Sequence, residues 1–229
     1  MNLAEKLQLL DNLPLFNQLD KADKERLSTM MEARTKPRYS FIYRPGDSSD
    51  YVYLLQKGTL KIATHNQEGK EVIKRLIHPE ALFGERALVG EEVRRESAQS
   101  LKEPVTYCVV KVADFQRIMA GSPSLSQEIL QLFGKRLIAA ENKLENLIFK
   151  DARSRIIDFL YEVVKNRGHR VGFEMLLKHS LTHQDIANIT CTSRQTVTLV
   201  LNELRKDNLI YFNRGRILVR DLQQLGAIA

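Results

Sequence analysis

The stretch THQDIANITCTSRQTVTLVLNEL, running from Thr182 to Leu204, decides how this chain is read. Thr182 is a helix-capping residue followed by Ile186 and Ile189, enough for two turns of helix. Thr190-Cys191-Thr192 leaves room only for a tight turn. Either Thr192 or Ser193 can cap a second helix, in which Val197, Val200, Leu201 and Leu204 recur at i, i+3, i+4 and i+7 and must face a core. The opposite face then carries Arg194, Gln195, Thr198, Asn202 and Arg205, whose guanidinium, amide and hydroxyl groups suit the base edges of a DNA major groove. This is a helix-turn-helix. Beyond it, Leu209 to Phe212, the turn Asn213-Arg214-Gly215-Arg216, and Ile217 to Val219 predict a β-hairpin that brings Arg214 and Arg216 to the phosphates, so the unit is winged.

Upstream, Ile156, Ile157, Leu160 and Val164 mark one amphipathic helix that stops near Asn166-Arg167-Gly168. From Asp151 to the end the pattern is helical apart from the final pair of strands. Before it, Ser122-Pro123 opens a long helix with no breaker but Gly134 until about Lys150. Within that helix Leu130, Phe133, Leu137, Ala140, Leu144 and Leu147 keep a 3-4 spacing, the seam expected where two helices lie side by side. The narrow stripe predicts a homodimer. A flanking set, Ile129, Leu132, Ile138 and Ile148, is free to pack on the chain's own domain. Further upstream still, from Tyr39 to Val112, short β-like segments alternate with Pro45-Gly46-Asp47, Lys57-Gly58-Thr59 and Asn66 to Gly69, the pattern of an antiparallel β-roll. Asp114 is placed to cap a short helix after the roll.

Composition agrees and excludes much. Hydrophobic residues at 43%, charged residues at 28% and a mean hydropathy of −0.29 describe a globular chain. No apolar run approaches the ~18 residues that span a bilayer, and Glu5, Gln8 and Asp11 deny the N-terminus a signal-peptide core. A cytoplasmic protein with no membrane partner is expected. Net charge is +7, and residues 151–229 hold more than half of it, 12 basic against 8 acidic side chains, which favours nucleic acid. Cys108 and Cys191, the only cysteines, rule out a disulfide framework or a thiolate cluster. His179 and His183 are four apart, but Thr182 as a cap breaks the helix a metal pair needs, so no metal is expected. No phosphate loop, nucleophile elbow or H-E-x-x-H is present, so no enzyme is expected.

With these residues in hand, the chain resembles the CRP/FNR family of bacterial transcription regulators over nearly its whole length. The likeness rests on Pro45-Gly46-Asp47 and Gly58, on Phe83-Gly84-Glu85, on the long helix ending Leu144 to Phe149, and on Thr182-x-x-Asp185-Ile186-Ala187 leading to Ser193-Arg194-Gln195-Thr196-Val197. It implies an α+β fold: an N-terminal β-roll sensor over 1-122, a dimerisation helix over 123-150, and a winged helix-turn-helix over 151-229. It implies double-stranded DNA with an inverted repeat as partner, a second copy of the chain, and RNA polymerase. Arg194 then takes the place of the arginine that reads guanine, with Thr182 and Ser193 beside it. Two positions depart from the family: Gln195 stands for a glutamate and Leu199 for a base-contacting arginine, so a less G-rich half-site is expected. Gln195 pairs with adenine in one reading and closes a capping box with Thr192 in the other. Cys191 holds a turn position where glycine is usual and φ is often positive; it is either a thiol switch or an inert turn residue.

In relatives that bind cyclic AMP, a glycine and a glutamate hold the ribose, and an arginine followed by a serine holds the phosphate. Gly84, Glu85 and Arg95 match, but Glu96 replaces the serine and would repel a phosphate unless a bulge puts Ser97 in its place. The two adenine-contacting hydroxyls become Ala140 and Glu141. These departures argue against cyclic AMP and leave another small effector or none, with Arg95 alternatively in an ion pair with Glu91 or Glu92. His78 as a haem ligand competes with the simpler turn that Pro79 suggests. A rival reading is a ligand-binding regulatory subunit acting on a protein partner without DNA.

Overall fold

The computed structural model describes residues 1–228. Contacts group them into two units, 1–64 with 74–139 and 65–73 with 140–228. The first opens with α1 (Leu3–Asn12) and α2 (Lys21–Met30), capped by the side chains of Asn2 and Asp20. The roll follows: β1 (Glu32–Lys36), β2 (Phe41–Tyr43), β3 (Tyr51–Lys57), β4 (Leu60–His65), β5 (Glu71–Ile77), β6 (Ala81–Phe83), β7 (Ser97–Ser100) and β8 (Val105–Lys111). They form two four-stranded sheets, ordered β1-β8-β3-β6 and β2-β7-β4-β5.

The period of two explains why β3 reads as an unbroken apolar run. Val52 and Leu54 face the core beneath the helices, with Leu10, Phe16, Leu27 and Phe115. Tyr53 and Leu55 face the roll interior, with Ile62, Phe83, Tyr107 and Val109. Both faces of the strand are buried, so no polar alternation appears. Gly58 turns β3 into β4 at φ 86°, where a Cβ would stand 2.6 Å from the Pro104 carbonyl oxygen.

After the roll comes α3 (Val112–Gly121), which Asp114 does not cap: the cap position is Lys111, and Asp114 lies in the first turn, paired with Arg117 at 2.9 Å. A carboxylate there still complements the helix dipole. α4 (Pro123–Phe149) is the predicted long helix, started by proline at its first position. Leu125 and Ile129 are buried in its own core, and Leu132 and Phe133 pack partly against that core. Phe133 therefore leans toward its own domain, and Ile138 and Ile148 of the flanking set are exposed instead.

The second unit contains α5 (Ala152–Arg167), β9 (His169–Val171), β10 (Glu174–Lys178), α6 (His183–Thr190), α7 (Arg194–Lys206), β11 (Ile210–Asn213), β12 (Arg216–Val219) and α8 (Leu222–Ala227). β9 and β10 correct the all-helical expectation between α5 and α6, and with the wing they make a sheet ordered β11-β12-β10-β9. Gly168 ends α5 where a Cβ would lie 2.5 Å from the Val164 carbonyl oxygen, and Gly172 (φ 63°) turns the hairpin. The run Met175-Leu176-Leu177 is too short for periodicity to separate strand from helix. Ile156, Ile157, Leu160, Val164, Val197, Val200, Leu201 and Leu204 are all buried, as their spacing requires. Residues 65–73 belong to this unit too, with the Asn188 amide donating to Glu71 at 2.7 Å. No helix among the described residues is long and apolar enough to cross a membrane.

Candidate functional site

α6 begins with a reciprocal capping box: the Asp185 N–H donates to Thr182 Oγ1 at 3.0 Å, and the Thr182 N–H to Asp185 Oδ2 at 2.8 Å. Thr182 thus spends its hydroxyl on fixing the helix start. The turn follows with Cys191 left-handed at φ 53°, ψ 50°, the backbone state expected of that position. Arg155 of α5 holds the turn from beneath, donating to the carbonyl oxygens of Thr190 (3.0 Å) and Cys191 (3.2 Å). Sequence reading missed Arg155, because no spacing ties a charged residue on α5 to a turn so far along the chain.

Ser193 is the cap of α7, accepting from the Thr196 N–H at 3.0 Å. That choice removes the capping box proposed for Thr192 and Gln195, since the third helical position is now Thr196. Arg194, Gln195 and Leu199 stand exposed along one edge, Leu199 at 63%. Thr198 and Asn202 are half-buried beside them. Arg214 and Arg216 are exposed at the wing, where Gly215 takes φ 77°. His183 Nδ1 lies 3.0 Å from Thr198 Oγ1, and its ring meets Phe212 edge-on with centroids 6.0 Å apart. Of the predicted reading edge, Arg194, Gln195 and Arg205 are thus exposed, as are the wing arginines, while Thr198 and Asn202 are half-buried.

The roll interior differs from expectation. Gly84 adopts φ 71° against Tyr53, where a Cβ would be 2.7 Å from Cδ2. Glu85, only 1% exposed, pairs with Arg75 at 3.0 Å and with Arg136 of α4. Arg136 also donates to the Leu82 carbonyl oxygen at 2.8 Å, and burial pushes its pKa down to about 9. Glu96 is buried among Lys74 (3.1 Å), Arg75 (3.5 Å) and Arg86 (3.5 Å). Arg94 points inward, donating to the Gly84 carbonyl oxygen at 2.9 Å and lying over the Tyr43 ring at 4.6 Å.

Arg95 is exposed at a shallow cleft beside Val89 and Glu92, while Glu91 pairs with Arg86 and Arg94. Ser97 is buried in β7 and donates to the Ala63 carbonyl oxygen at 3.2 Å. Ala140 and Glu141 are exposed on α4. Along the same helix Leu130, Leu137 and Leu144 are 72%, 61% and 59% exposed, with Leu147 and Ala140 also open.

A β-roll, a long helix and a winged helix-turn-helix with a polar reading edge define a DNA-binding transcription regulator. Residues 34–122 match the cyclic nucleotide-binding domain family, and residues 154–228 the Crp-like helix-turn-helix domain. The chain is 30% identical to a global nitrogen regulator of Synechococcus elongatus, over 78% of this chain and 81% of that one. It is 24% identical to a CRP-like cAMP-activated global transcriptional regulator of Mycobacterium tuberculosis, over 95% and 97% of the two chains. The structure of FixK2 from Bradyrhizobium japonicum superposes with a TM-score of 0.77 at 20% identity, covering 86% of this chain and 96% of that one. The chain belongs to the CRP/FNR family of transcription regulators.

Proposed function

We propose that this regulator works as a homodimer on an inverted-repeat site, its two copies paired along α4 through Leu130, Leu137, Ala140, Leu144 and Leu147, with Phe133 turned partly to its own core. The observation that carries the reading is the row of leucines left open on a 27-residue helix. Leucine in such a row is a large apolar surface that water disfavours and a second copy can cover. The chain then divides at 122 and 150 into sensor, dimerisation helix and DNA-binding domain. Each α7 enters a major groove, the two about 34 Å apart. Arg194 bridges O6 and N7 of a guanine, Gln195 pairs with adenine, and Leu199 or the Thr198 methyl meets a thymine methyl. Ser193, Thr182, Arg214 and Arg216 lie along the phosphates. RNA polymerase is the partner through which such a site is read, in the cytoplasm.

The roll takes a small effector other than cyclic AMP. In support, Glu85 and Glu96 are already engaged by cations, and Arg95 lies outside while Arg94 lies within. A cyclic nucleotide's ribose and phosphate would therefore meet an occupied carboxylate and a buried negative charge.

Selection of sites from random duplexes, followed by binding isotherms at several salt concentrations, tests the reading. A selected inverted repeat whose affinity falls steeply with salt is expected. Recovery of no consensus, or binding indifferent to salt, overturns it.

A further inference from the structure

His183 is the first residue of α6, and its ring bridges three elements. Nδ1 lies 3.0 Å from Thr198 Oγ1 on α7, and the ring edge packs on Phe212 of β11. Phe212 in turn lies under the Arg205 guanidinium, 5.2 Å from its centroid. Thr198 donates its hydroxyl proton to the Arg194 carbonyl oxygen at 3.0 Å. A hydroxyl has one proton, so the oxygen must accept from His183 Nδ1–H. Burial, and then the charge of Arg194, hold the imidazole pKa below its ordinary value, so the ring is neutral near pH 7.

Threonine in a helix divides between two rotamers, because its hydroxyl can bond back to the carbonyl four residues earlier. Exchanging the rotamers exchanges hydroxyl and methyl. The imidazole N–H favours the rotamer whose oxygen faces α6, and so decides which group Thr198 offers to the groove.

We propose that His183 is a positioning residue for sequence discrimination: it fixes the Thr198 rotamer and seats the wing's Phe212 against the recognition helix. The proposal rests on the DNA-binding reading above. It predicts that His183 and Thr198 act as one unit on base preference, with little effect on general attraction to phosphate.

The test is a double-mutant cycle on the full-length protein with a duplex chosen by the wild type, a scrambled duplex, and copies of the chosen one with each thymine replaced by uracil. His183→Ala and Thr198→Val are each expected to weaken the chosen duplex roughly 2- to 12-fold, the worth of one hydrogen bond. The double variant should be no weaker than the weaker single, and binding to the scrambled duplex should be unchanged. His183→Asn, which keeps a donor near the Nδ1 position, should restore most of the discrimination. In the wild type one uracil substitution should cost affinity, and in His183→Ala the same substitution should cost less.

Multiplicative effects of the two changes, or equal losses on chosen and scrambled duplexes, overturn the proposal. If His183→Ala does not fold, His183→Leu, which fills the space beside Phe212 but offers no donor to Thr198, completes the cycle with Thr198→Val and their double variant. A wild type that selects no sequence fails the DNA-binding reading itself, a result distinct from a selective wild type whose variants act independently.

Discussion

Alanine at Glu85 strands two guanidinium groups inside the roll. The carboxylate is 1% exposed and is shared by Arg75 at 3.0 Å and Arg136. Without it Arg136 keeps the Leu82 carbonyl oxygen as acceptor but no counter-charge, and Arg75 keeps only Glu96, at 3.5 Å. Breaking a buried pair by deleting one partner costs about 3–5 kcal/mol. Arg136→Met is the unequal counterpart: Glu85 retains Arg75, and the methionine refills much of the space, so a loss of about 1–2 kcal/mol is expected. Changing both to methionine should cost less than Glu85→Ala alone, because the Arg136 charge goes with its partner and Arg75 retains Glu96. The chain contains no tryptophan, so urea unfolding is best followed by far-ultraviolet circular dichroism at fixed protein concentration. A Glu85→Ala protein within about 1 kcal/mol of wild type, or an Arg136→Met protein that loses as much as Glu85→Ala, would refute the reasoning.

Arg194→Ala should flatten discrimination at one guanine by about 1–3 kcal/mol, read as relative affinity for single-base variants of the selected site, while the other positions keep their preferences. Leu204→Ala removes a fully buried side chain and should cost about 2–5 kcal/mol in the unfolding of the DNA-binding unit, measured by calorimetry. Burial pushes the Cys108 thiol up to about 11, whereas Cys191 is partly open. Iodoacetamide near neutral pH should therefore label Cys191 alone in native protein, by mass spectrometry, and Cys108 only after unfolding.

Elements with a strong period were legible. Val197, Val200, Leu201 and Leu204 announce both the second helix and its buried face, and the glycine-punctuated segments announce the roll. The reading edge followed by subtraction, since whatever a buried stripe leaves over must face outward. The roll's charged interior was not legible. Arg75, Arg94, Arg136, Glu85 and Glu96 are residue types that usually remain in water; four of them enter by pairing with one another, and Arg94 by donating to the Gly84 carbonyl oxygen and lying over the Tyr43 ring. Pairing is a tertiary property that leaves no mark on spacing. The β9–β10 hairpin was missed for a different reason: a three-residue apolar run fits strand and helix equally well, and Gly172 alone marks the turn. Phe133 sat on the predicted seam, but the seam and core faces of α4 adjoin, and its ring fell partly to the core.

Native mass spectrometry of the protein on its own selected duplex, with the half-sites in place and then with about half a helical turn inserted between them, measures pairing and groove reading together. Two chains per duplex on the first, with the complex lost or strongly weakened on the second, is the predicted result. One chain per duplex, or a complex indifferent to the insertion, would contradict it.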